Sequence, residues 1–309
     1  MTQDILYCFD ENYNKQALTS IISLLDNVSE PINIHIVHKN KSLFVDLPNV
    51  IKFHQNLNNF KIYEFKREVS NFPNILNSHI SEATYYRLFV EEILPRNIER
   101  ILYIDCDVIC INDPIKDIKQ EFESLSKSNK TIGVSIEKFS NNEEIEIFNR
   151  LNLSSKEYFN AGVMFIDFNK WIKKNVPEQS TNIIKKLGNK LKFWDQDVLN
   201  KIFNSDFRTI DKKFNFILDI QNTTDIPNNT LFVHYAGSYK PWTARGVVEK
   251  NAKLYIYNYR KLDYGDFHIT HSWKLSSIVY LINSIFTLKI FNTKNPIKFI
   301  FSFINSFRD

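Results

Sequence analysis

The chain has 309 residues, 43% of them hydrophobic, and a formal net charge of only +4. That is enough apolar matter for one sizeable core, or for a domain with an appendage; it excludes a disordered chain, and so weak a charge excludes a general nucleic-acid binder. Only 6 glycines stand beside 26 Phe and 14 Tyr, and neither GxxxxGK(S/T) nor GxGxxG occurs, which excludes a phosphate loop of the Walker or dinucleotide type.

The opening MTQDILYCFDEN carries acids and has no apolar stretch of signal-peptide length, so neither a signal peptide nor an N-terminal anchor is expected. Its ILYCF (5–9) reads as a buried strand closed by Asp10-Glu11-Asn12. Leu18, Ile21, Ile22, Leu25 and Val28 then recur at helical spacing. INIHIVH (32–38) alternates like a strand, and VIKFHQ (50–55) reads as another. A β-α-β opening of this kind predicts a parallel sheet with helices on its faces.

SEATYYRLFVEEILP (81–95) predicts a helix stopped by Pro95, ILYID (101–105) a strand, TIGVSIE (131–137) a strand ending in an acid, and AGVMFIDF (161–168) a further apolar strand. DQDVLNKIF (195–203) places Val198, Leu199, Ile202 and Phe203 on one helical face, with Asp195 near its start; TLFVHYAGSYKPW (230–242) is a strand followed by a loop. Several strands thus end on polar residues, Asp10, Asp105, Glu137 and His234. In open α/β sheets ligands bind beyond the carboxyl ends of the strands, so these distant positions are expected to converge there. The three cysteines, Cys8, Cys106 and Cys110, lack CxxC spacing and read as buried free thiols of a reducing compartment. The Asn152-Leu153-Ser154 sequon reads as chance in an Asn-rich chain.

The last part of the chain differs in character. From Phe267 to Arg308 there is no acidic residue but there are five basic ones, Lys274, Lys289, Lys294, Lys298 and Arg308. LSSIVYLINSIFTL, 14 uncharged residues, lies between Lys274 and Lys289, and IKFIFSFINSF (297–307) follows Pro296. Each segment is short of the roughly 20 apolar residues that a membrane span needs. Apolar-aromatic segments edged by lysines predict helices lying in a membrane interface, attached to an anionic leaflet. The competing expectation is a helix pair packed on the catalytic body or on a second subunit. The expected division is 1–264, a catalytic domain, and 265–309, a basic and aromatic attachment segment.

The chemistry is read from ILYIDCDVIC. Two carboxylates at i and i+2 of a strand lie on one side, where they repel. A hard divalent cation relieves that repulsion, and Mn²⁺ or Mg²⁺ so held completes its shell with water and phosphate oxygens. Asp105 and Asp107 therefore suggest metal-bridged diphosphate binding. A phosphohydrolase with an aspartyl nucleophile uses a similar string, but Ile109 stands where its Thr or Val would be, and no convincing later Asp pair follows.

The chain resembles glycosyltransferase family 8, the retaining nucleotide-sugar-dependent enzymes that include bacterial lipopolysaccharide galactosyl- and glucosyltransferases. The resemblance runs from about residue 4 to 245 through seven ordered strings: FDENY (9–13), TYYRLFV (84–90), LYIDCDV (102–108), FNAGVMFID (159–167), WDQDVLN (194–200), KFNF (213–216) and HYAGSYKPW (234–242). It implies an α/β fold of GT-A type, a Rossmann-like, mixed but mostly parallel sheet flanked by helices. It implies a UDP-hexose donor, galactose or glucose, with Mn²⁺ (or Mg²⁺), and a glycolipid or oligosaccharide acceptor such as the lipopolysaccharide core. It further implies an enzyme attached peripherally to the cytoplasmic face of the plasma membrane.

Position by position, the resemblance implies that Cys8, Asp10, Asn12 and Tyr13 cradle uracil and ribose, and that Arg87 reaches the sugar or a phosphate. Asp105, Asp107 and His234 would hold the metal; Cys106, between the two aspartates, belongs to the donor site but is read as core-facing rather than as a ligand. Gly237 and Lys240 would contact the diphosphate. Glu137, where the family usually has Asp, would bind donor-sugar hydroxyls, and Asn160 and Ala161 would line the sugar. Asp195 and Gln196 would sit nearest the anomeric carbon as the catalytic pair. Simpler readings stand beside these: Asp10 as a helix cap, Arg87 as an ion-pair partner, Asp195 as an N-cap, His234 as a hydrogen-bonded core histidine, and Tyr13 and Trp242 as core aromatics. The functional alternatives are the same donor chemistry on a protein or soluble glycan, and a non-catalytic nucleotide-sugar-binding module.

Overall fold

A computed structural model describes residues 2–41, 47–67, 72–73, 81–155, 157–221 and 225–308. In chain order these form β1 (Asp4–Phe9), α1 (Asn14–Asn27), β2 (Ile32–His38), α2 (Asn49–Lys52), β3 (Leu57–Glu64), β4 (Arg100–Ile104) and β5 (Val108–Cys110). Next come α3 (Ile115–Lys127), β6 (Ile132–Ile136), α4 (Asn141–Leu151), β7 (Phe159–Asp167), α5 (Phe168–Lys173), α6 (Val176–Leu187), α7 (Trp194–Ile202), β8 (Phe207–Thr209) and β9 (Phe216–Ile217). β10 (Phe232–His234), α8 (Lys253–Arg260), α9 (Lys274–Phe286) and α10 (Pro296–Asn305) complete them.

The main sheet has seven strands in the order β3-β2-β1-β4-β7-β6-β8. β3, β2, β1 and β4 run parallel, β7 runs antiparallel to both its neighbours, and β8 is parallel to β6. A second sheet, β5-β10-β9, stands beside it. Central strands are buried on both faces, as apolar runs require. Ile5, Tyr7 and Phe9 of β1 enter one core cluster while Leu6 and Cys8 enter the other, and Leu102/Ile104 against Ile101/Tyr103 repeat the alternation on β4.

Two sequence expectations are corrected. VIKFHQ is not a strand: its first residues form α2, in which Ile51 is buried while Val50 and the following Phe53 face solvent. The strand lies later, as β3, an edge strand with polar residues through its length. An edge strand has one neighbour and a half-covered face, so it lacks the apolar run that made the central strands legible. The second correction concerns Asp105 and Asp107, which lie not along a strand but in a turn between β4 and β5, closed by the Val108 N–H donating to the Asp105 carbonyl at 3.2 Å. A turn, rather than strand alternation, brings the two carboxylates to one side.

The chain beyond residue 264 is tied to the body. The Thr270 N–H donates to the Trp242 carbonyl (2.7 Å), the Ala244 N–H donates to the Thr270 carbonyl (3.1 Å), and Phe267 and Ile269 enter the main core. α10 then packs through Phe299 and Phe303, Ile290 of the turn between α9 and α10 enters the same core, and Leu281 of α9 packs against it. No helix among the described residues is long and apolar enough to cross a membrane.

Candidate active site

The carboxyl ends of β1, β4 and β6 open on one edge, where antiparallel β7 begins. A cavity of about 470 Å³ lies there, lined by Cys8, Tyr13, Arg87, Asp105, Cys106, Asp107, His234, Gly237 and Lys240, together with Glu137, Asn160, Asp195 and Gln196. Asp10, Asn12 and Ala161 stand beside lining residues rather than on the wall. Asp10 does cap the turn Glu11–Tyr13, accepting the Asn12 N–H (3.0 Å), and its other oxygen accepts the Ser81 hydroxyl. Tyr13 meets the buried Trp242 edge-to-face, ring centroids 6.3 Å apart, so Tyr13 forms wall and Trp242 its support.

Asp105, Asp107 and His234 bring their ligand atoms within 4.8 Å of one another. Asp105 Oδ1 accepts from Tyr103 OH (2.5 Å) and pairs with Arg87 Nη1 (3.1 Å). Asp107 Oδ2 accepts from Lys240 Nζ (2.5 Å), whereas its Oδ1 is buried without a hydrogen bond and faces His234 Nε2 at 3.2 Å. Burial alone would raise both carboxyls. For Asp107, Lys240 and His234 outweigh it and hold the group well below the usual range; for Asp105, burial together with the charge of Asp107 prevails over Arg87 and raises it. Two acids, one imidazole and an orphaned buried oxygen suit a divalent ion of the Mn²⁺ or Mg²⁺ kind, so these residues fit the metal the sequence implies.

Arg87 is buried and serves as an ion-pair hub. Its Nε pairs with Asp195 Oδ2 at 2.6 Å, its Nη1 donates to the Ala161 carbonyl at 2.7 Å, and its guanidinium lies 4.5 Å from the Tyr103 ring centre. Asp195 also accepts the Thr84 hydroxyl; burial, opposed by Arg87 and Thr84, pushes its carboxyl up to about 6. Asp195 therefore spends its oxygens on side chains and is not the cap of α7. The reason lies in the segment Glu82–Glu92, which winds as a 3₁₀ helix. Side chains three apart eclipse in that geometry, so Ser81, Thr84 and Arg87 form one polar stripe that meets Asp10, Asp195 and Asp105.

The opposite wall is a chain of hydrogen bonds. Gln196 Nε2 donates to Glu137 Oε2 (2.9 Å) and Gln196 Oε1 accepts the Ala161 N–H (3.0 Å). Asn160 Nδ2 donates to the same Glu137 oxygen (3.2 Å). A register shift between Val134 and Ser135 leaves Ala161, Gly162 and Val163 outside the pairing with β6, and this bulge carries Asn160 and Ala161 to the site. Gly237, at φ +86°, is in the left-handed region open to glycine. Cys106 is buried at the cavity floor, where burial raises its thiol; it offers no thiolate ligand.

Sequence reasoning missed several residues. Asp197, fully buried, accepts Arg150 Nη1 (2.6 Å), Tyr158 OH (2.8 Å) and the N–H groups of Lys192 (2.8 Å) and Phe193 (3.0 Å), and so fixes the turn before Asp195. Asn215 bonds His234 Nδ1 at 2.9 Å. Both lie inside quoted strings, but neither Asp nor Asn signals such a role without a partner in view. Tyr103 and Thr84 carried no signal beyond their places in a strand and a helix.

Sheet order, the antiparallel β7 and a cavity at the strand ends define a GT-A type glycosyltransferase fold. The solved galactosyltransferase LgtC, in complex with donor and acceptor sugar analogs, shares it at a TM-score of 0.70 and 21% identity, over 84% of this chain and 96% of that one. The glycosyltransferase GlyE of Streptococcus pneumoniae shares it at 0.61 and 17%, over 94% of this chain and 64% of that one. The profile of Glycosyl transferase family 8 matches residues 4–246, and the chain belongs to that family. The lipopolysaccharide 1,2-glucosyltransferase of Escherichia coli is 28% identical over 78% of this chain and 73% of its own length. The general stress protein A of Bacillus subtilis is 26% identical over 78% of this chain and 87% of its own.

Proposed function

We propose that the chain is a retaining α-glycosyltransferase that moves galactose or glucose from a UDP-hexose to a hydroxyl of a cell-surface glycan such as the lipopolysaccharide core. The observation that carries this reading is the placement of Asp105, Asp107, His234 and Lys240 on one wall of the cavity, with Glu137 and Gln196 on another. One wall suits a diphosphate, the other a sugar. The likeness to a lipopolysaccharide glucosyltransferase supports the acceptor class.

Asp105, Asp107 and His234 would hold Mn²⁺ or Mg²⁺, which when bound offsets the charge left on the departing diphosphate. Lys240, steadied by Asp107 and by the Tyr235 carbonyl (2.7 Å), adds a second positive group there. Glu137 and the Gln196 amide orient sugar hydroxyls. The sugar–phosphate bond breaks and the acceptor oxygen bonds the anomeric carbon on the same face, its proton passing to the leaving phosphate. Asp195, held by Arg87 and Thr84, orients rather than attacks. Trapping a glycosylated Asp195 on the native path would overturn front-face transfer. The central test is UDP release from several UDP-sugars with and without Mn²⁺. Asp105→Ala and Asp107→Ala are each expected to lose metal-dependent turnover by at least about 100-fold, and undiminished activity in both would sink the assignment.

The segment 265–309 serves, in this reading, as a peripheral attachment to the cytoplasmic face of the membrane. What supports it is an inverted helix. In α9 Ser277 and Ser284 are buried, while Leu275, Val279, Ile282 and Phe286 are exposed, Phe286 by 82%. Ile297, Phe301 and Ile304 of α10 are exposed likewise. Contiguous apolar surface of this kind marks an interaction site, and Lys294 and Arg308 at its edges favour an anionic leaflet. The triple variant Ile282→Ser, Phe286→Ser, Phe301→Ser should stop co-sedimentation with anionic vesicles while leaving UDP release unchanged; equal sedimentation would reject the membrane role.

A further inference from the structure

We propose that Asn215 is a positioning residue that sets the tautomer of His234 and joins the metal site to the sugar wall; the inference rests on His234 being a metal ligand. The Gly162 N–H points at the Asn160 side chain at 2.9 Å and requires an acceptor there, so that atom is Oδ1. Asn160 Nδ2 is then on the other branch, where it donates to Glu137. Asn160 Oδ1 has a second lone pair, and the Asn215 amide approaches it at 2.9 Å. Only Nδ2 of Asn215 can stand there, because its oxygen would face another oxygen. Asn215 Oδ1 is left towards His234 Nδ1, again at 2.9 Å. Nδ1 therefore carries the ring proton, and Nε2, which faces Asp107, is the nitrogen that presents its lone pair to a cation.

Asn215, Asn160 and His234 are all buried, with Asn160 and His234 reaching the cavity wall. The relay is also sterically indexed. A Cβ on Gly162 would lie 2.2 Å from His234 Cε1 and 2.7 Å from Nδ1, so the imidazole rests on the one backbone position with no side chain to displace it. The other end of the relay is Glu137, which also holds Gln196. One line of amides thus connects the imidazole on the metal wall to the carboxylate on the sugar wall.

The test is Mn²⁺ affinity in the absence of donor, by calorimetry and electron paramagnetic resonance, on the full chain. Asn215→Leu removes the acceptor for Nδ1–H and should weaken Mn²⁺ binding by about 10- to 100-fold. Asn215→Asp, as the neutral acid, keeps a carbonyl acceptor for Nδ1–H and an O–H donor for Asn160 Oδ1 and should bind within about threefold of the parent, a rescue that a merely structural role would not give. Far-UV circular dichroism checks folding, and if the Leu variant does not fold, Asn215→Ala carries the same expectation. Unchanged affinity in the Leu or Ala variant, or a fall in the Asp variant as deep as theirs, overturns the positioning role. A parent protein that binds no Mn²⁺, or an Asp107→Ala variant that binds it equally well, overturns the metal reading and with it this inference. The two failures are distinguished by which protein changes.

Discussion

Arg87 shows how one residue can be named correctly and still acquire a different part in the structure. The sequence offered it as a contact for the donor or as an ion-pair partner, and in the folded chain its guanidinium is divided between Asp105, Asp195 and the Ala161 carbonyl. Removing one member of a buried charge set strands the others, which costs about 3–5 kcal/mol. Arg87→Leu is therefore expected to lower unfolding stability by about that amount, and Asp195→Asn on top of it to recover part of the loss, because one stranded carboxylate is then gone. Urea unfolding measures both; a loss below about 1 kcal/mol in the single variant would show that the three groups are not coupled. His234 could be proposed as a ligand through the family resemblance, whereas Asn215 could not, since an asparagine gains its role from the two groups on either side of its amide.

At the scale of elements, the segment 82–92 was legible as helical but not as 3₁₀. The distinction matters, because only a threefold repeat aligns Ser81, Thr84 and Arg87. The loop after β10 depends on a close approach of the same kind: a Cβ on Gly246 would lie 2.0 Å from the Lys240 carbonyl oxygen, a backbone atom that cannot step aside. Gly246→Ala should displace the 237–242 loop and lower kcat/KM by about 100-fold with an unchanged circular dichroism spectrum; full activity would show that the loop tolerates the shift. The tail helices were legible as apolar segments edged by lysines. Which face they turn outward was not: Ser277 and Ser284 are buried with their hydroxyls satisfied by the carbonyls of Trp273 and Leu281 of their own turns, so the polar side of α9 can face the body while its apolar side faces out.

Across the whole molecule, aromatic packing couples the site to the C-terminal chain. Trp242 stacks on His268 (6.2 Å) and tilts against Tyr255 (4.9 Å), and the Tyr255 hydroxyl meets His268 Nδ1 at 2.7 Å. Burial, with Lys15 adding to it, pushes His268 down to about 3. The folded chain keeps this imidazole neutral while the unfolded chain protonates it below about 6.5, so its linkage removes stability as pH falls from about 6.5 towards 3. Asp195, raised to about 6, acts in the opposite sense: between about 6 and 4 the folded state binds its proton first and gains stability on acidification. The His268 contribution is isolated by difference. The stability of His268→Gln minus that of the parent should rise by about 1 kcal/mol for each pH unit lowered between 6 and 4; a pH-independent difference would mean that His268 titrates normally.

What the sequence by itself determined is the class of sheet, the central strands and the polar residues at their ends. Runs such as ILYCF and ILYID, apolar on both faces, fit central strands, and an acid that closes such a run falls at the carboxyl end of the strand, where ligands of open α/β sheets bind. Tertiary structure alone decided the edge strand β3, the turn that pairs Asp105 with Asp107, the sharing of Arg87 between two acids, and the amide relay through Asn215. The edge strand, the sharing of Arg87 and the relay are relations between groups far apart in the chain, set by which strands become neighbours; the Asp105–Asp107 turn is local, but the strand pairing on either side decides where β4 ends and β5 begins.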